Sequence, residues 1–341
     1  MRYTYLLILF CLFNANTGLK AQSLSCFDEY NTEDEPYRIE RVTLDSDGVT
    51  LAVELYLPKE RGNYPALLML PGGGNNVQNL RNVPEYLGRR AAACGIVALF
   101  FDKRGTGNST GEYGETDFND FLVDASSAID YLAMHSEVNT SKIGATGFSQ
   151  GGRLIANLAV RNKRVSFIAG VSGPINKVGP NRYYAVSNSF DRTQLSDSIK
   201  AVIRPYWEEH FNALEARDTT RSLILDKKIE EAGRNIRRGL LPPYHANRDR
   251  SPIYNSMGID LLTELENLTI PWYSIYGEDD PIVSAKESIA NIERLMKKAG
   301  NTDYVIENIP DSNHAIYNPT TQKQYPFERK IIEWVLMITK S

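Results

Sequence analysis

Gly147-Phe148-Ser149-Gln150-Gly151-Gly152 is a G-x-S-x-G run set between an apolar, strand-like stretch ending at Thr146 and a helical pattern that begins near Gly152. That context is what a nucleophile elbow needs. Small residues on both sides let the chain turn sharply, which lifts the Ser149 hydroxyl clear of a sheet and aims the next amide, that of Gln150, at the same reacting carbonyl. A serine hydroxyl is a poor nucleophile unless a base takes its proton, and the base must be oriented by a carboxylate. Both partners are therefore expected later in the chain.

Trp272 to Tyr276 reads as a strand, and Gly277-Glu278-Asp279-Asp280-Pro281-Ile282-Val283 follows it, so an acid arrives in the loop at a strand's carboxyl end. Asp280 is the candidate, with Asp279, one residue earlier, as the alternative. The next strand, Tyr304 to Ile309, runs into Pro310-Asp311-Ser312-Asn313-His314, which brings a base candidate to the same edge. Only four histidines are present. His135 falls at the end of a helix away from that edge, and His210 and His245 fall in a long insertion, which leaves His314.

The tetrahedral intermediate of acyl transfer needs hydrogen-bond donors where negative charge develops. Leu70-Pro71-Gly72-Gly73-Gly74-Asn75 follows an inner strand and can present bare backbone amides there. The expected pair is Gly73, with Gly74 as its alternative, and Gln150. These glycines lack the Gly-Lys-Ser/Thr ending of a phosphate loop.

The elements that must position these residues are legible as patterns. Residues 38–46 and 50–57 alternate around Ser46-Asp47-Gly48, which predicts two antiparallel strands. Thereafter come continuous apolar runs: Ala66 to Leu70, Ile96 to Phe101, Ile143 to Thr146, Val165 to Val171, Trp272 to Tyr276 and Tyr304 to Ile309. Runs apolar on both faces, alternating with helices, are what a parallel sheet covered on both sides requires. The helices show three and four spacing, as in Phe121, Leu122, Ala125, Ala128, Ile129 and Leu132, and in Ile289, Ile292, Leu295 and Met296,. A last amphipathic helix covers residues 327–339. Residues 175–270 break the alternation with helical-looking stretches at 195–216 and 219–238 and the breaker Leu241-Pro242-Pro243, and are expected to form a helical cap. The core is then 38–174 with 271–341, preceded by a lead-in at 22–37.

With 341 residues, 42% apolar and 23% charged, the chain has the composition of a globular protein with a substantial core,. Its net charge of −4, without a basic run, offers no electrostatic footprint for nucleic acid,. Arg2, the short apolar run Leu6 to Phe13 and Lys20-Ala21-Gln22 read as a signal peptide, residues 1–21, cleaved after Ala21,. That predicts export to the periplasm or beyond, with no stable membrane span afterwards. Cys26 and Cys94 would then remain, and two cysteines do not make a disulfide scaffold. Cys94, at the end of a helix feeding a strand, is expected to be a small buried thiol.

Phe101-Asp102-Lys103-Arg104-Gly105-Thr106-Gly107-Asn108-Ser109 supplies a further marker, D-x-R-G-x-G-x-S. Taken with the elbow, the order Ser, Asp, His and the insertion, roughly residues 38–340 resemble the α/β-hydrolase superfamily, in particular its exported bacterial serine esterases and serine-aminopeptidase-like members. The resemblance implies an α/β-hydrolase fold: a mostly parallel sheet of about eight strands with helices on both faces and a helical cap inserted after the sixth strand. It implies that Asp280 is the acid, through G-x-x-D-x-x-V, and that the glycine loop acts like the HGGG loop of lipases, with Pro71 in place of the histidine. It also implies a structural turn at D-x-R-G-x-G-x-S, which puts Asp102 and Arg104 outside the catalytic set.

The chemistry expected is hydrolysis of a small-molecule carboxylic ester through an acyl-enzyme, with Ser149 as nucleophile, His314 as general base and acid, Asp280 as orienting acid, and the Gly73 and Gln150 amides as oxyanion hole. No metal or cofactor is called for: there is no H-E-x-x-H, and Gly72-Gly73-Gly74 lacks the G-x-G-x-x-G spacing of a dinucleotide site,. Haloalkane and epoxide hydrolases of such a fold would put aspartate at the elbow. The rival is a peptidase using the same triad, for which Glu208 or Glu209 would have to hold a substrate's free amine. Paired glutamates on a helix are ordinarily a solvated face. A catalytically inactive binding module of the same fold is the reading from a different class. Tyr183, Tyr184, Tyr206, Trp207 and Phe211 could line an apolar pocket or form the cap's own core,.

Overall fold

The computed structural model describes residues 25–28, 35–233 and 251–340. The expected signal peptide, His245, Leu241-Pro242-Pro243 and residues 234–238 of the helical stretch expected at 219–238 lie outside them. Among the described residues no helix is long and apolar enough to cross a membrane.

Eight strands form one sheet: β1 (Tyr37–Ser46), β2 (Val49–Pro58), β3 (Tyr64–Leu70), β4 (Val97–Phe101), β5 (Val138–Phe148), β6 (Val165–Val171), β7 (Trp272–Gly277) and β8 (Tyr304–Ile309), in the order β1-β2-β4-β3-β5-β6-β7-β8. β1 pairs antiparallel with β2, and β2 with β4, while every pair from β4 to β8 is parallel. The helices are α1 (Ser25–Asp28), α2 (Val77–Ala93), α3 (Phe118–Met134), α4 (Gln150–Arg161), α5 (Val178–Asp191), α6 (Asp197–Glu215), α7 (Thr219–Gly233), α8 (Pro252–Asn255), α9 (Ala285–Ala299) and α10 (Phe327–Thr339). A short ribbon of β9 (Tyr317–Asn318) and β10 (Lys323–Gln324), too brief to leave a pattern in the sequence, closes the chain between β8 and α10.

The period of two along each inner strand explains why the apolar runs are continuous. In β3, Ala66, Leu68 and Leu70 lie on the side of the sheet covered by α3 and α4, while Leu67 and Met69 lie on the side of α2. β4 divides in the same way, with Val97, Leu99 and Phe101 on one side and Ala98 and Phe100 on the other. Each fully buried leucine contributes about 1.5–3 kcal/mol, so a register slip by one residue would move two opposed sets of such contacts at once.

Between β6 and β7 the chain leaves the sheet for α5 to α8. α6 is a well-formed helix: the Ser196 side chain accepts from the Ile199 amide, and Ile203, Trp207, His210 and Phe211 are buried along one face. α5 was not anticipated. Its Lys177 N-cap makes no side-chain cap bond, and Gly179 and Pro180 stand in its first turn, so no helix-start signal precedes its buried Val186 and Phe190,. Phe190, Trp207 and Phe211 of the insertion are buried in hydrophobic packing, with Trp207 edge-on to Phe190 at 4.6 Å.

The cysteines correct the sequence reading. Cys94 is not a free buried thiol but is bonded to Cys26, with Cα atoms 5.1 Å apart and a sequence separation of 68. The bridge ties α1 to the C-terminal end of α2. Phe27 lies edge-on to Tyr86 and under the Arg90 guanidinium on the same helix, which holds the two segments in reach of each other.

Candidate active site

β5 ends at Phe148 and α4 begins at Gln150, so the single residue between them must reverse the chain. Ser149 does so with φ 53° and ψ −114°, a left-handed conformation that costs energy for a residue bearing a Cβ,. Its amide donates to the Val171 carbonyl at 2.8 Å, which anchors the turn to β6. The close approach requires glycine on either side. A methyl group at Gly147 would stand 2.3 Å from the Gly151 carbonyl carbon, and one at Gly151 would stand 2.2 Å from the Leu70 carbonyl oxygen.

The candidate acid and base come from neighbouring strand ends. His314 Nε2 lies 3.0 Å from Ser149 Oγ, and His314 Nδ1 lies 2.6 Å from Asp280 Oδ2. Asp280 is 1% exposed, and its other oxygen accepts the Ile282 and Val283 amides at 2.7 and 3.0 Å. With one oxygen so occupied, the other is oriented toward the imidazole. Asp279 is exposed and does not join this arrangement. The loops are held together by backbone: Asp279 N–H donates to the Ser312 carbonyl, and the Ser172 hydroxyl donates to the His314 carbonyl at 2.9 Å. From the insertion, the Tyr184 hydroxyl donates to the Asp280 carbonyl at 2.9 Å and the Asn188 amide to that of Pro281 at 3.1 Å, so α5 braces the acid loop.

The other two described histidines stand apart from this arrangement. His135 caps α3, with the Glu40 carboxylate 3.8 Å away, and His210 is buried in the insertion near Asp226.

The glycine loop lies against the elbow. A methyl group at Gly73 would reach Gln150 Cβ at 4.0 Å, and one at Gly72 would meet the Phe148 ring at 3.3 Å. Of the Gly73 and Gly74 amides, that of Gly74 donates to the Tyr113 hydroxyl at 3.1 Å and is engaged away from the serine. Among the described residues the Gly73 amide donates to no acceptor, and Gln150, as the first residue of α4, has no intrahelical partner for its own,.

A cavity of about 430 Å³ opens beside Ser149 and His314. α2 lines it with Leu80, Val83, Pro84 and Leu87, one face at i, i+3, i+4 and i+7, and α10 lines it with Phe327 and Ile331,. The sheet contributes Met69, Thr146 and Val171. Its described lining carries no carboxylate, and Ile253 is the one described residue of the insertion in it. Tyr183, Tyr184, Tyr206, Trp207 and Phe211 do not line it, and neither do Glu208 and Glu209, which are exposed on α6. Glu209 is paired with Arg221 on α7 at 2.9 Å.

In the turn after β4, Asp102 takes two hydrogen bonds from Arg81, and Arg104 takes up the buried Asp124. Lys103 between them was not singled out by the sequence. It is 4% exposed, and its ammonium donates to the Gly72 carbonyl and, at 2.8 Å, to Gln150 Oε1. Burial pushes its pKa down to about 7.

The sequence profile of the X-Pro dipeptidyl-peptidase (S15) family matches residues 47–314, a span that runs from the turn between β1 and β2 through the elbow to the histidine. The chain belongs to that family. Its fold is that of the α/β-hydrolases, as expected. Two curated relatives match in part. The uncharacterized protein PA2218 of Pseudomonas aeruginosa is 33% identical over 124 residues, 36% of this chain and 33% of that protein. The uncharacterized protein YcjY of Escherichia coli is 31% identical over 130 residues, 36% of this chain and 41% of that one. The matched stretches thus span between a third and about two fifths of these relatives. In structure, PA2218 aligns with a TM-score of 0.54 at 19% identity, covering 89% of this chain and 94% of that one. An esterase of Pyrococcus furiosus aligns with a TM-score of 0.55 at 17% identity, covering 91% and 94%. At such identities the likeness is one of fold alone.

Proposed function

We propose that the protein is a serine hydrolase that cleaves carboxylic esters with an apolar acyl group, through an acyl-enzyme. Ser149 Oγ attacks the carbonyl carbon as His314 Nε2 takes its proton. Asp280 holds the imidazole by its Nδ1–H and stabilises the cation that forms. The Gly73 and Gln150 amides receive the developing oxyanion. Collapse of the intermediate expels the alcohol, which takes its proton from His314, and a water molecule repeats the cycle on the acyl-enzyme. The carrying observation is the placing of His314 Nε2 3.0 Å from Ser149 Oγ beside a cavity whose described lining is mostly apolar and without a carboxylate.

A second reading, a peptidase, is favoured by the family to which the chain belongs. An enzyme that removes residues from a free amino terminus needs an acid close to the site, and the two glutamates in view for that role do not line the cavity. The comparison is therefore direct. A fluorophosphonate probe should label Ser149 and leave Ser149→Ala unlabelled. With protein expressed from residue 22, kcat/KM for p-nitrophenyl acetate, butyrate and octanoate should rise with chain length and exceed that for aminoacyl and dipeptidyl p-nitroanilides, X-Pro among them. Any anilide that equals the best ester makes the peptidase the preferred reading. Labelling that persists in Ser149→Ala removes both.

We also propose export. The basic and apolar first residues support it, and so does the Cys26–Cys94 bridge, since disulfides persist in oxidising compartments,.

A further inference from the structure

A buried lysine with no carboxylate beside it calls for an explanation, because an ammonium loses its hydration on burial and needs acceptors in return. The neighbours of Lys103 are charged but committed elsewhere: Asp102 to Arg81 and the Asn108 amide, Arg104 to Asp124. Lys103 finds two acceptors, the Gly72 carbonyl and Gln150 Oε1, and its ammonium lies 5.3 Å from the Phe121 ring centroid.

Both acceptors belong to the proposed oxyanion hole. The Gly72 carbonyl and the Gly73 N–H are the two ends of one planar peptide unit. A donor fixed on the oxygen therefore fixes the direction of the N–H. It also draws electron density through the amide, which makes that N–H a stronger donor. The second acceptor is the side chain of Gln150, the residue whose backbone amide is the other donor. One cation thus joins the glycine loop to the start of α4.

We propose that Lys103 is the positioning residue of the oxyanion hole: its ammonium holds the Gly72–Gly73 peptide and Gln150 in the geometry that stabilises the tetrahedral intermediate, and its charge acts on the oxyanion from one peptide unit away. The proposal rests on the assignment of the Gly73 and Gln150 amides to that hole. It does not depend on whether the acyl group arrives as an ester or an amide.

Protonation gives the proposal a signature. The groups around Lys103 are Asp102, Arg104, Arg81 and Asp124 in and beside its own turn, Tyr113, whose ring packs against Phe121 at 6.2 Å, and the His314–Asp280 pair beyond Ser149. No carboxylate among the described residues contacts the ammonium, and burial brings its pKa down to about 7. Below that value the ammonium carries its charge and the hole is fully polarised. Above it the neutral amine still donates hydrogen bonds but the charge is gone, so stabilisation of the transition state falls as pH rises.

The test follows kcat and KM for p-nitrophenyl butyrate, and the second-order rate of fluorophosphonate labelling, across the neutral range in the wild type, Lys103→Met, Lys103→Arg and Gln150→Glu. The wild type should lose kcat/KM on the alkaline side through a pKa near 7. Lys103→Met should lower kcat by about 10- to 100-fold, below the loss of a direct oxyanion donor, with KM little changed and the alkaline bend absent. Lys103→Arg should recover part of kcat and stay flat, because a guanidinium does not titrate there. Gln150→Glu places a carboxylate beside the ammonium and should move the bend to higher pH. A Lys103→Met profile with the wild-type shape, scaled or not, overturns the proposal and leaves a structural lysine. Should Lys103→Met fail to fold, an unmoved bend in Gln150→Glu overturns it equally. Failure of the ester reading appears instead in the wild-type substrate panel, and the labelling rate then carries the same pH test.

Discussion

Asp280 and His314, 34 residues apart in the chain, meet with Oδ2 and Nδ1 2.6 Å apart at the carboxyl ends of adjacent parallel strands. Their meeting depends on β7 and β8 pairing in register from Trp272↔Tyr304 to Gly277↔Ile309, which sends the two following loops to the same edge. A methyl group at Gly277 would stand 2.3 Å from the Asn313 carbonyl oxygen, so glycine there is what lets the histidine loop come so near.

Asp280→Asn keeps the shape of the side chain but replaces a carboxylate with an amide that cannot stabilise the imidazolium or hold its tautomer. The expected loss is about 10³- to 10⁴-fold in kcat. Asp279→Asn, on an exposed side chain, should change kcat little. Steady-state kinetics on one ester with both variants decides the matter. A larger loss in Asp279→Asn would contradict the assignment of the acid.

The disulfide gives a prediction about stability rather than rate. In the chain-entropy account, a bridge across 68 residues restrains the unfolded chain by about 4 kcal/mol,. Cys26→Ser with Cys94→Ser should therefore lower the unfolding free energy by about 2–4 kcal/mol and leave kcat unaltered, because Cys94 caps the end of α2 while the cavity is lined by Leu80 to Leu87. Denaturant melts of the double variant, and of the wild type with and without a thiol reductant, measure this. Coincident melts in all conditions would show that the bridge contributes nothing.

How far the sequence could be read depends on whether a feature is local. Ser149, Asp280 and His314 sit in loops at strand ends, and continuous apolar runs mark those ends, so the three could be named from the chain and the structure brings them together. The bridge could not, because it depends on residues before β1 folding back onto α2. α5 lacks both an N-cap bond and a strong apolar stripe. Lys103 is harder still, since a lysine in a turn reads as solvated, and only the packing of Phe121, Gly72 and Gln150 around it removes the water. The pocket shows a different kind of limit. The sequence leaves the aromatics of the insertion open as pocket walls or as the cap's own core; Trp207 and Phe211 are wholly buried in hydrophobic packing and none of the five named lines the cavity. The wall is the i, i+3, i+4, i+7 face of α2, a pattern present in the sequence but interrupted by Pro84.

That wall carries the last prediction. Val83 lines the cavity from α2 and is only partly buried, so a larger side chain there can grow into the cavity without displacing the sheet. Val83→Phe should fill space that two or three methylenes of a long acyl chain would otherwise occupy. Each methylene buried contributes about 0.8 kcal/mol, so kcat/KM for p-nitrophenyl octanoate should fall by about 10- to 50-fold. The acetate ester, whose methyl group need not enter so far, should be nearly unaffected. The ratio of the two substrates in one variant cancels any general loss of folded enzyme, which makes the ratio the quantity to measure. An equal fall for acetate and octanoate would point to a disturbed triad, and no change in either would mean that the acyl chain lies elsewhere, under the insertion between β6 and β7.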